Sequence, residues 1–380
     1  MNTDFYQITM AYGHWKRRAT EQRAKFQLFY RRPPFEGTHV LACGLKTAID
    51  FIKNFRFEPK DLVYLESLNQ FEPEFLDYLS KLRFSGDLEA VIEGVLINPK
   101  EPLMQITASM IECQLLETPL LNILNFQSLI ATKAARICKA AEGDPVIEFG
   151  LRRAQGFDGA LSASRAAYIG GCESTSNLEA AEQFGIPVRG TMSHAWVMSF
   201  VSEFEAFESY AQIFPKACTV AVDTYDTING VKNAIRLGQR LKGIRLDSGD
   251  LAALSIEARS LLNQAGLEHV QIIASGDLDE YRIRDLKQKK APINAWGVGT
   301  RMVTAFEEPA LTGVYKLAAI QNLDGSWRNC HKVSDDQFKS TLPGLLPMQN
   351  NLLHPIFRSG ECVYTSPSIH EIRDHAHRAA

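Results

Sequence analysis

The stretch GIRLDSGD, residues 243–250, is a short apolar run with a β-branched residue that stops on charge. Six other stretches have the same shape: PVIEFGLRR (145–153), AAYIGG (166–171), IPVRGTM (186–192), CTVAVDT (218–224), QIIASGD (271–277) and AWGVGT (295–300). They recur roughly every 20 to 30 positions, and helix-like segments separate most of them, which is the pattern of buried parallel strands in βα units. Seven consecutive units predict an α/β fold closed or nearly closed into a barrel, more than an open doubly wound sheet. Polar residues follow the apolar run in six of the seven: Arg152 and Arg153, Thr191 to His194, Asp223, Arg245 with Asp247 and Asp250, Asp277, then Gly299 and Thr300. In a parallel barrel these C-terminal strand ends share one mouth, so the groups are expected to face a common pocket. One aspartate at a strand end can simply cap the next helix. A polar group at nearly every strand end is not explained that way.

The flanks read differently. FQLFY and AVIEGVLI are β-rich, and Pro33-Pro34 and Ser85-Gly86-Asp87 are turns. Residues 110–142 are apolar at helical spacing and predict helices leading into the barrel. GVYKLAAIQNLDGSWRN reads as a hairpin turning at Asp324-Gly325. The expected organisation is an N-terminal α+β domain with lead-in helices over 1–125, the barrel over 126–305, and a segment over 306–380 packing with the N-terminal domain, which is therefore discontinuous.

The chain has 380 residues, 45% apolar and 22% charged, with a formal net charge of -3, the composition of an ordinary globular protein too long for one small core. That balance argues against nucleic acid and against an anionic membrane surface, and Lys16–Arg18 and Lys287–Lys290 read as solvated faces. The N-terminus lacks the basic and apolar regions of a secretory signal, and no run nears the length of a membrane helix. Seven scattered cysteines without a CxxC pair predict reduced, mostly buried thiols and a cytoplasmic protein. His370, His375 and His377 are read as part of a polar C-terminal helix, and no metal ligand is directly assigned.

Glycine turns such as GVGT let backbone N–H groups approach a phosphate, arginines grip phosphate or carboxylate bidentately, and aspartates hold ribose hydroxyls directly or through Mg²⁺. The mouth therefore suits a phosphorylated, ribose-bearing substrate. Neither GxGxxG nor GxxxxGK[ST] is present, which disfavours a Rossmann or Walker site. A barrel aldolase or isomerase would use a catalytic lysine or a glutamate base at a strand end, and no residue of these motifs is assigned that role.

The stretches TDFYQITMAYG (3–13), EFGLRRAQG (148–156), GTMSHAW (190–196), RLDSGDL (245–251), GVGTRMVT (297–304), GVYKL (313–317) and TLPG (341–344) together resemble the motifs of the nicotinate phosphoribosyltransferases, in order and over nearly the whole chain. The resemblance implies an incomplete seven-stranded α/β barrel beside a discontinuous α+β domain. It also implies synthesis of nicotinate mononucleotide and pyrophosphate from nicotinate and phosphoribosyl pyrophosphate, coupled to hydrolysis of ATP, with Mg²⁺, in NAD biosynthesis. Such enzymes are formally ligases that perform pentosyl transfer. The nicotinamide-specific phosphoribosyltransferases, with related but less similar motifs, are the alternative.

By the same resemblance, His194 corresponds to a histidine phosphorylated by ATP, Asp223 to the carboxylate that orients it, and Asp247 to a ribose-side carboxylate. Tyr6 and Phe149 correspond to aromatics that sandwich the pyridine ring, Tyr6 reaching in from a neighbouring subunit, which implies a homodimer with shared sites. Arg245 corresponds to the arginine on the nicotinate side, and Thr191 is counted among the substrate-binding residues. Arg152, Gly276, Asp277, Gly299 and Thr300 resemble the cradle for phosphoribosyl pyrophosphate, and Lys316, Lys339 and Thr341 fall in phosphate-contact motifs. Ser176 stands where nicotinamide-specific relatives carry an aspartate, so no carboxylate is present to repel an acid.

Overall fold

A computed structural model describes residues 2–335, 340–348 and 351–379. The chain divides into two compact units, one of Met1–Leu129 with Ala310–Ala379 and one of Ile130–Pro309.

In the first unit, seven strands among the described residues form one antiparallel sheet, in the order Trp327–Asn329, Gly313–Gln321, Arg23–Tyr30, Pro102–Ser109, Asp87–Val91, Leu353–Arg358, Glu361–Cys362. Segments from both ends of the chain thus share a sheet. The Arg23–Tyr30 strand carries the join, pairing Phe26 with Leu317 on one side and with Ile106 on the other. The rings of Phe26 and Tyr315 stack at 4.8 Å, a cross-strand aromatic pair that locks the register. The hairpin expected around Asp324-Gly325 is present, with Gly325 in the left-handed region at φ 84°.

The helices expected over 110–142 are a single one, Met110–Ala140, which runs through Pro119 and across the boundary between the units. Proline usually ends a helix. Here Leu115, Leu116, Leu120, Leu124 and Ile130 are buried along it, and that packing outweighs the one missing donor.

The second unit is a parallel sheet in the order Ser174–Thr175, Val146–Glu148, Ala295–Val298, Gln271–Ala274, Gly243–Leu246, Thr219–Ala221. A further parallel bridge joins Thr175 to Val188. Val146, Val220, Ile244, Leu246, Ile272, Ala274 and Trp296 are buried along these strands.

Two expected strands are corrected: IPVRGTM (186–192) contributes only the single bridge at Val188. AAYIGG (166–171) is not a strand but the end of the helix Gly156–Ile169, and the strand in that unit is Ser174–Thr175. A short apolar run cannot be told from a buried helix by periodicity. Ala160, Ala163, Ala166 and Ala167 are all strong helix formers and all buried. Gly170 caps this helix in close contact with the long one, where a Cβ would lie 2.4 Å from the carbonyl oxygen of Ala131.

None of the seven cysteines is in a disulfide, and four of them are buried. The C-terminal histidines do lie on a helix, Ile369–Ala379. No helix among the described residues is long and apolar enough to cross a membrane.

Candidate active site

The C-terminal ends of the parallel strands open on one cavity of about 420 Å³, lined by Phe149, Arg152, Arg153, Ser176, Gly190, Thr191, Arg245, Asp247, Ser275, Gly276, Asp277, Gly297, Gly299 and Thr300. The chain reaches it through tight turns that demand glycine. Gly276 sits at φ 93°, and a Cβ there would lie 2.1 Å from the carbonyl oxygen of Asp247. A Cβ on Gly297 would lie 2.6 Å from the ring of Phe149, so the glycine is what lets that aromatic lie against the strand. At Gly299 the helix Thr300–Val303 begins.

His194 opens the short helix His194–Met198, whose N-cap is Ser193, with its hydroxyl oxygen accepting from the Trp196 N–H at 3.3 Å. The imidazole is about one third exposed. Its Nδ1 lies 3.1 Å from the Thr224 hydroxyl and its Nε2 lies 3.5 Å from the Arg245 guanidinium. Two carboxylates face Nε2 at 3.8 Å each, Asp223 through Oδ1 and Asp247 through Oδ2. Arg245 donates to the Thr191 hydroxyl at 2.6 Å. Asp223 is fixed from behind, its Oδ2 accepting from the Asp247 N–H at 3.1 Å and from the Ser248 hydroxyl at 2.7 Å. Ser275 donates to Asp247 Oδ1.

Two polar atoms here have no partner among the described residues although both are buried: Asp223 Oδ1 and Arg245 Nε. Buried polar atoms are almost always satisfied. An orphan acceptor and an orphan donor beside the same imidazole mark a place shaped for polar groups of a ligand. Among the described residues no cluster of three or more His, Cys, Asp or Glu could hold a metal by itself. The paired carboxylates of Asp223 and Asp247 do fit a cation that also takes phosphate oxygens, the way Mg²⁺ is usually held.

The structure therefore brings together Phe149, Arg152, Ser176, Thr191, His194, Asp223, Arg245, Asp247, Gly276, Asp277, Gly299 and Thr300 within the second unit. Three expected site residues belong to the first unit. Lys316 and Thr341 line a different cavity of about 390 Å³ with Arg31, Lys100 and Ser340. Burial, reinforced by the Arg31 and Lys332 charges, lowers the Lys316 ammonium from its ordinary value while Glu117 opposes the shift. Tyr6 is half-exposed on the helix Phe5–Lys16, its phenol raised by burial and then by the Glu117 carboxylate. Lys339 lies outside the described residues.

Thr224 and Ser275 were not singled out from the sequence. Both adjoin a strand-end aspartate motif, VDT and SGD, which is the signal that marks them. Asp250 is the reverse case. Its carboxylate accepts from the Ala252 and Ala253 N–H groups at 3.1 Å each and caps the helix Leu251–Gln264, so here the capping explanation holds.

A parallel α/β unit with glycine turns, arginines and carboxylates gathered at its strand ends is the architecture of a phosphosugar-handling enzyme. Comparison with known proteins makes this specific. Residues 1–125 match the nicotinate phosphoribosyltransferase N-terminal domain and residues 145–341 match the nicotinate phosphoribosyltransferase family. The chain is 45% identical to a nicotinate phosphoribosyltransferase of Mycobacterium tuberculosis over 361 residues, covering 93% of this chain and 76% of that one. It is 47% identical to that of Bacillus subtilis over 352 residues, covering 90% and 71%. The crystal structure of human nicotinic acid phosphoribosyltransferase superposes with a TM-score of 0.82 at 29% identity, covering 100% of this chain and 93% of that one. The chain belongs to the nicotinate phosphoribosyltransferase family.

Proposed function

We propose that this protein condenses nicotinate with 5-phosphoribosyl 1-pyrophosphate to nicotinate mononucleotide and pyrophosphate, and that ATP is hydrolysed to ADP and phosphate through a phosphohistidine at His194. The observation that carries the reading is the orphan pair beside His194, Asp223 Oδ1 and Arg245 Nε, in a cavity otherwise furnished with glycine turns and arginines.

Arg245 has only donors, so the nitrogen facing it is the unprotonated Nε2, and Nδ1–H donates to Thr224. Nε2 has a single in-plane lone pair, so the 3.5 Å contact with Arg245 is given up when ATP binds, and Asp223 and Asp247 flank the freed lone pair. It attacks the γ-phosphorus of ATP, the bond to the bridging oxygen breaks, and ADP departs. Water later attacks the same phosphorus and releases phosphate. The phosphoryl group adds about 1.5 to 2 negative charges next to two carboxylates. Asp223 and Asp247 are the residues that would hold Mg²⁺, which supplies the positive charge such a crowd of anions requires. In the transfer itself the pyridine nitrogen bonds to the ribose C1 as the bond from C1 to pyrophosphate breaks. Gly276, Asp277, Gly299, Thr300 and Arg152 cradle the phosphorylated sugar, and Phe149 lies against the pyridine.

For the base, Arg245 offers a guanidinium to the nicotinate carboxylate and Ser176 a hydroxyl donor. A carboxylate at position 176 would repel it.

The finer architecture and assembly belong to the same reading. The strand order leaves Val188 and Thr219–Ala221 as the two outer members, which suits a seven-membered barrel left open between them. The protein acts in the cytoplasm as a homodimer in which Tyr6, on a half-exposed helix face, completes the partner's pyridine site.

The test is incubation with γ-labelled ATP. An acid-labile, base-stable phosphoenzyme is expected, absent in His194→Ala. Label retained in that variant contradicts the assignment.

A further inference from the structure

We infer that Glu148 is a specificity-determining positioning residue, a buried carboxylate that holds the two sides of the pyridine pocket together. The inference rests on the base site proposed above.

Glu148 ends the strand Val146–Glu148 and is fully buried. A carboxylate in the interior is costly unless donors surround it. Three converge here: the Gly150 N–H on one oxygen, and the Ser164 and Thr175 hydroxyls on the other at 2.8 and 2.5 Å. Its backbone carbonyl accepts from the Ser176 N–H at 3.0 Å. Phe149, the next residue, donates its N–H to Val298 at 2.8 Å. Phe149 and Ser176 both line the cavity, and the Glu148 side chain holds the residue after the first, Gly150, and the residue before the second, Thr175.

The strand that carries Ser176 to the cavity needs such help. Ser174–Thr175 is two residues long, with two register pairs to its neighbour and one bridge to Val188. Only Ser176 and Asn177 separate this ladder from the helix Leu178–Phe184, and the Glu148 side chain fastens the same segment through Thr175.

The network also has a fixed direction. An ionised carboxylate only accepts, so the Thr175 proton points to it and the Thr175 oxygen is left to accept from the Asn177 N–H at 3.0 Å. The Ser164 hydroxyl lies 3.0 Å from the Ala160 carbonyl as well, but its proton goes to the charged acceptor. Its oxygen then accepts from the Asn177 amide at 3.1 Å. Glutamine at 148 has the same shape, but its amide nitrogen either opposes the Gly150 N–H or reverses both hydroxyl bonds.

The experiment measures steady-state kinetics with both substrates varied, and competition between nicotinate and nicotinamide, for the native protein, Glu148→Gln, Thr175→Val and Thr175→Ser. Failure of the native protein to form nucleotide from nicotinate would sink the base site itself, before any variant is compared. Given native activity, Glu148→Gln and Thr175→Val are expected to raise KM for nicotinate about tenfold and to narrow the preference over nicotinamide. KM for phosphoribosyl pyrophosphate should stay within about twofold. Thr175→Ser, which keeps the hydroxyl, should behave as the native protein does. If Glu148→Gln does not fold, the two Thr175 variants carry the test. Both KM values rising together, or Thr175→Ser failing as Thr175→Val does, would overturn the inference.

Discussion

The tetrapeptide SGDL occurs twice, at Ser248–Leu251 and Ser275–Leu278, each time at the end of a parallel strand, and the two copies do different work. In both the glycine is left-handed, at φ 80° for Gly249 and 93° for Gly276. After the first, the helix starts at once with Leu251, and Asp250 is consumed as its cap. After the second, the helix starts at Glu280, so the capping passes to Asp279, which accepts from the Tyr281 and Arg282 N–H groups at 3.1 and 2.8 Å. Asp277 is released to line the cavity, at φ 49°. The role of an aspartate at a strand end is therefore set by where the following helix begins. Identical residues differ by two positions of chain.

The largest effect is expected where the second turn is fastened. Glu280 is ion-paired to Lys133 at 2.7 Å and to Arg136 at 2.8 Å, both Lys133 and Glu280 being fully buried. Removing Lys133 leaves the buried Glu280 carboxylate with Arg136 as its remaining cation. Lys133→Met should cost about 3 kcal/mol in denaturant unfolding, the lower end for a broken buried pair because Arg136 stays. Burial alone would raise the Glu280 carboxyl, but the hydrogen bonds from Lys133 and Arg136 hold it below its ordinary value. Its stabilisation is therefore complete above the unfolded glutamate value of about pH 4.3 and is lost as pH falls through the lower folded one. Glu280→Gln should flatten that acid limb, and an unchanged acid limb would remove Glu280 from it.

Next come the glycines. A Cβ at 276 meets the backbone of Asp247, while one at 249 meets only the end of the Leu254 side chain, at 2.9 Å. Gly276→Ala must displace a strand end of the site, and a shift near 1 Å is expected to lower kcat/KM about a hundredfold. Gly249→Ala should carry mainly the left-handed strain of about 1–2 kcal/mol, with activity retained. Equal losses of activity would erase the distinction between the turns.

The aspartates themselves give the smallest and sharpest contrast. Asp250→Ala should lower stability by about 1 kcal/mol and leave KM for phosphoribosyl pyrophosphate unchanged. Asp277→Asn should leave stability unchanged and lower efficiency with that substrate about tenfold. The crossed result would show the assignment of the two turns to be reversed.

Much of this was legible before any coordinates. GIRL, QIIA and AWGV read as strands because β-branched and bulky apolar residues stop at a glycine or a charge, and the convergence of their polar ends followed from parallel geometry. AAYIGG misled because a short run that is apolar throughout shows no period, and its alanines suit a buried helix as well as a strand. Glu148 stayed invisible for a different reason. Its hydroxyl partners lie 16 and 27 positions further along, on a helix and on the neighbouring strand, so its meaning depends on tertiary packing rather than on any local pattern. Ser248 and Ser275 likewise hold Asp223 and Asp247 across neighbouring strands, contacts made by the sheet and not by the motif.

The most direct measurement is product analysis with purified protein, phosphoribosyl pyrophosphate, Mg²⁺ and ATP, offering nicotinate and nicotinamide in separate and competing reactions. Nicotinate should yield its mononucleotide and pyrophosphate in equal amounts, with selectivity over nicotinamide of about two orders of magnitude, because Arg245 pairs a carboxylate and Ser176 cannot repel one. No nucleotide from nicotinate, or equal or greater efficiency with nicotinamide, would contradict the account.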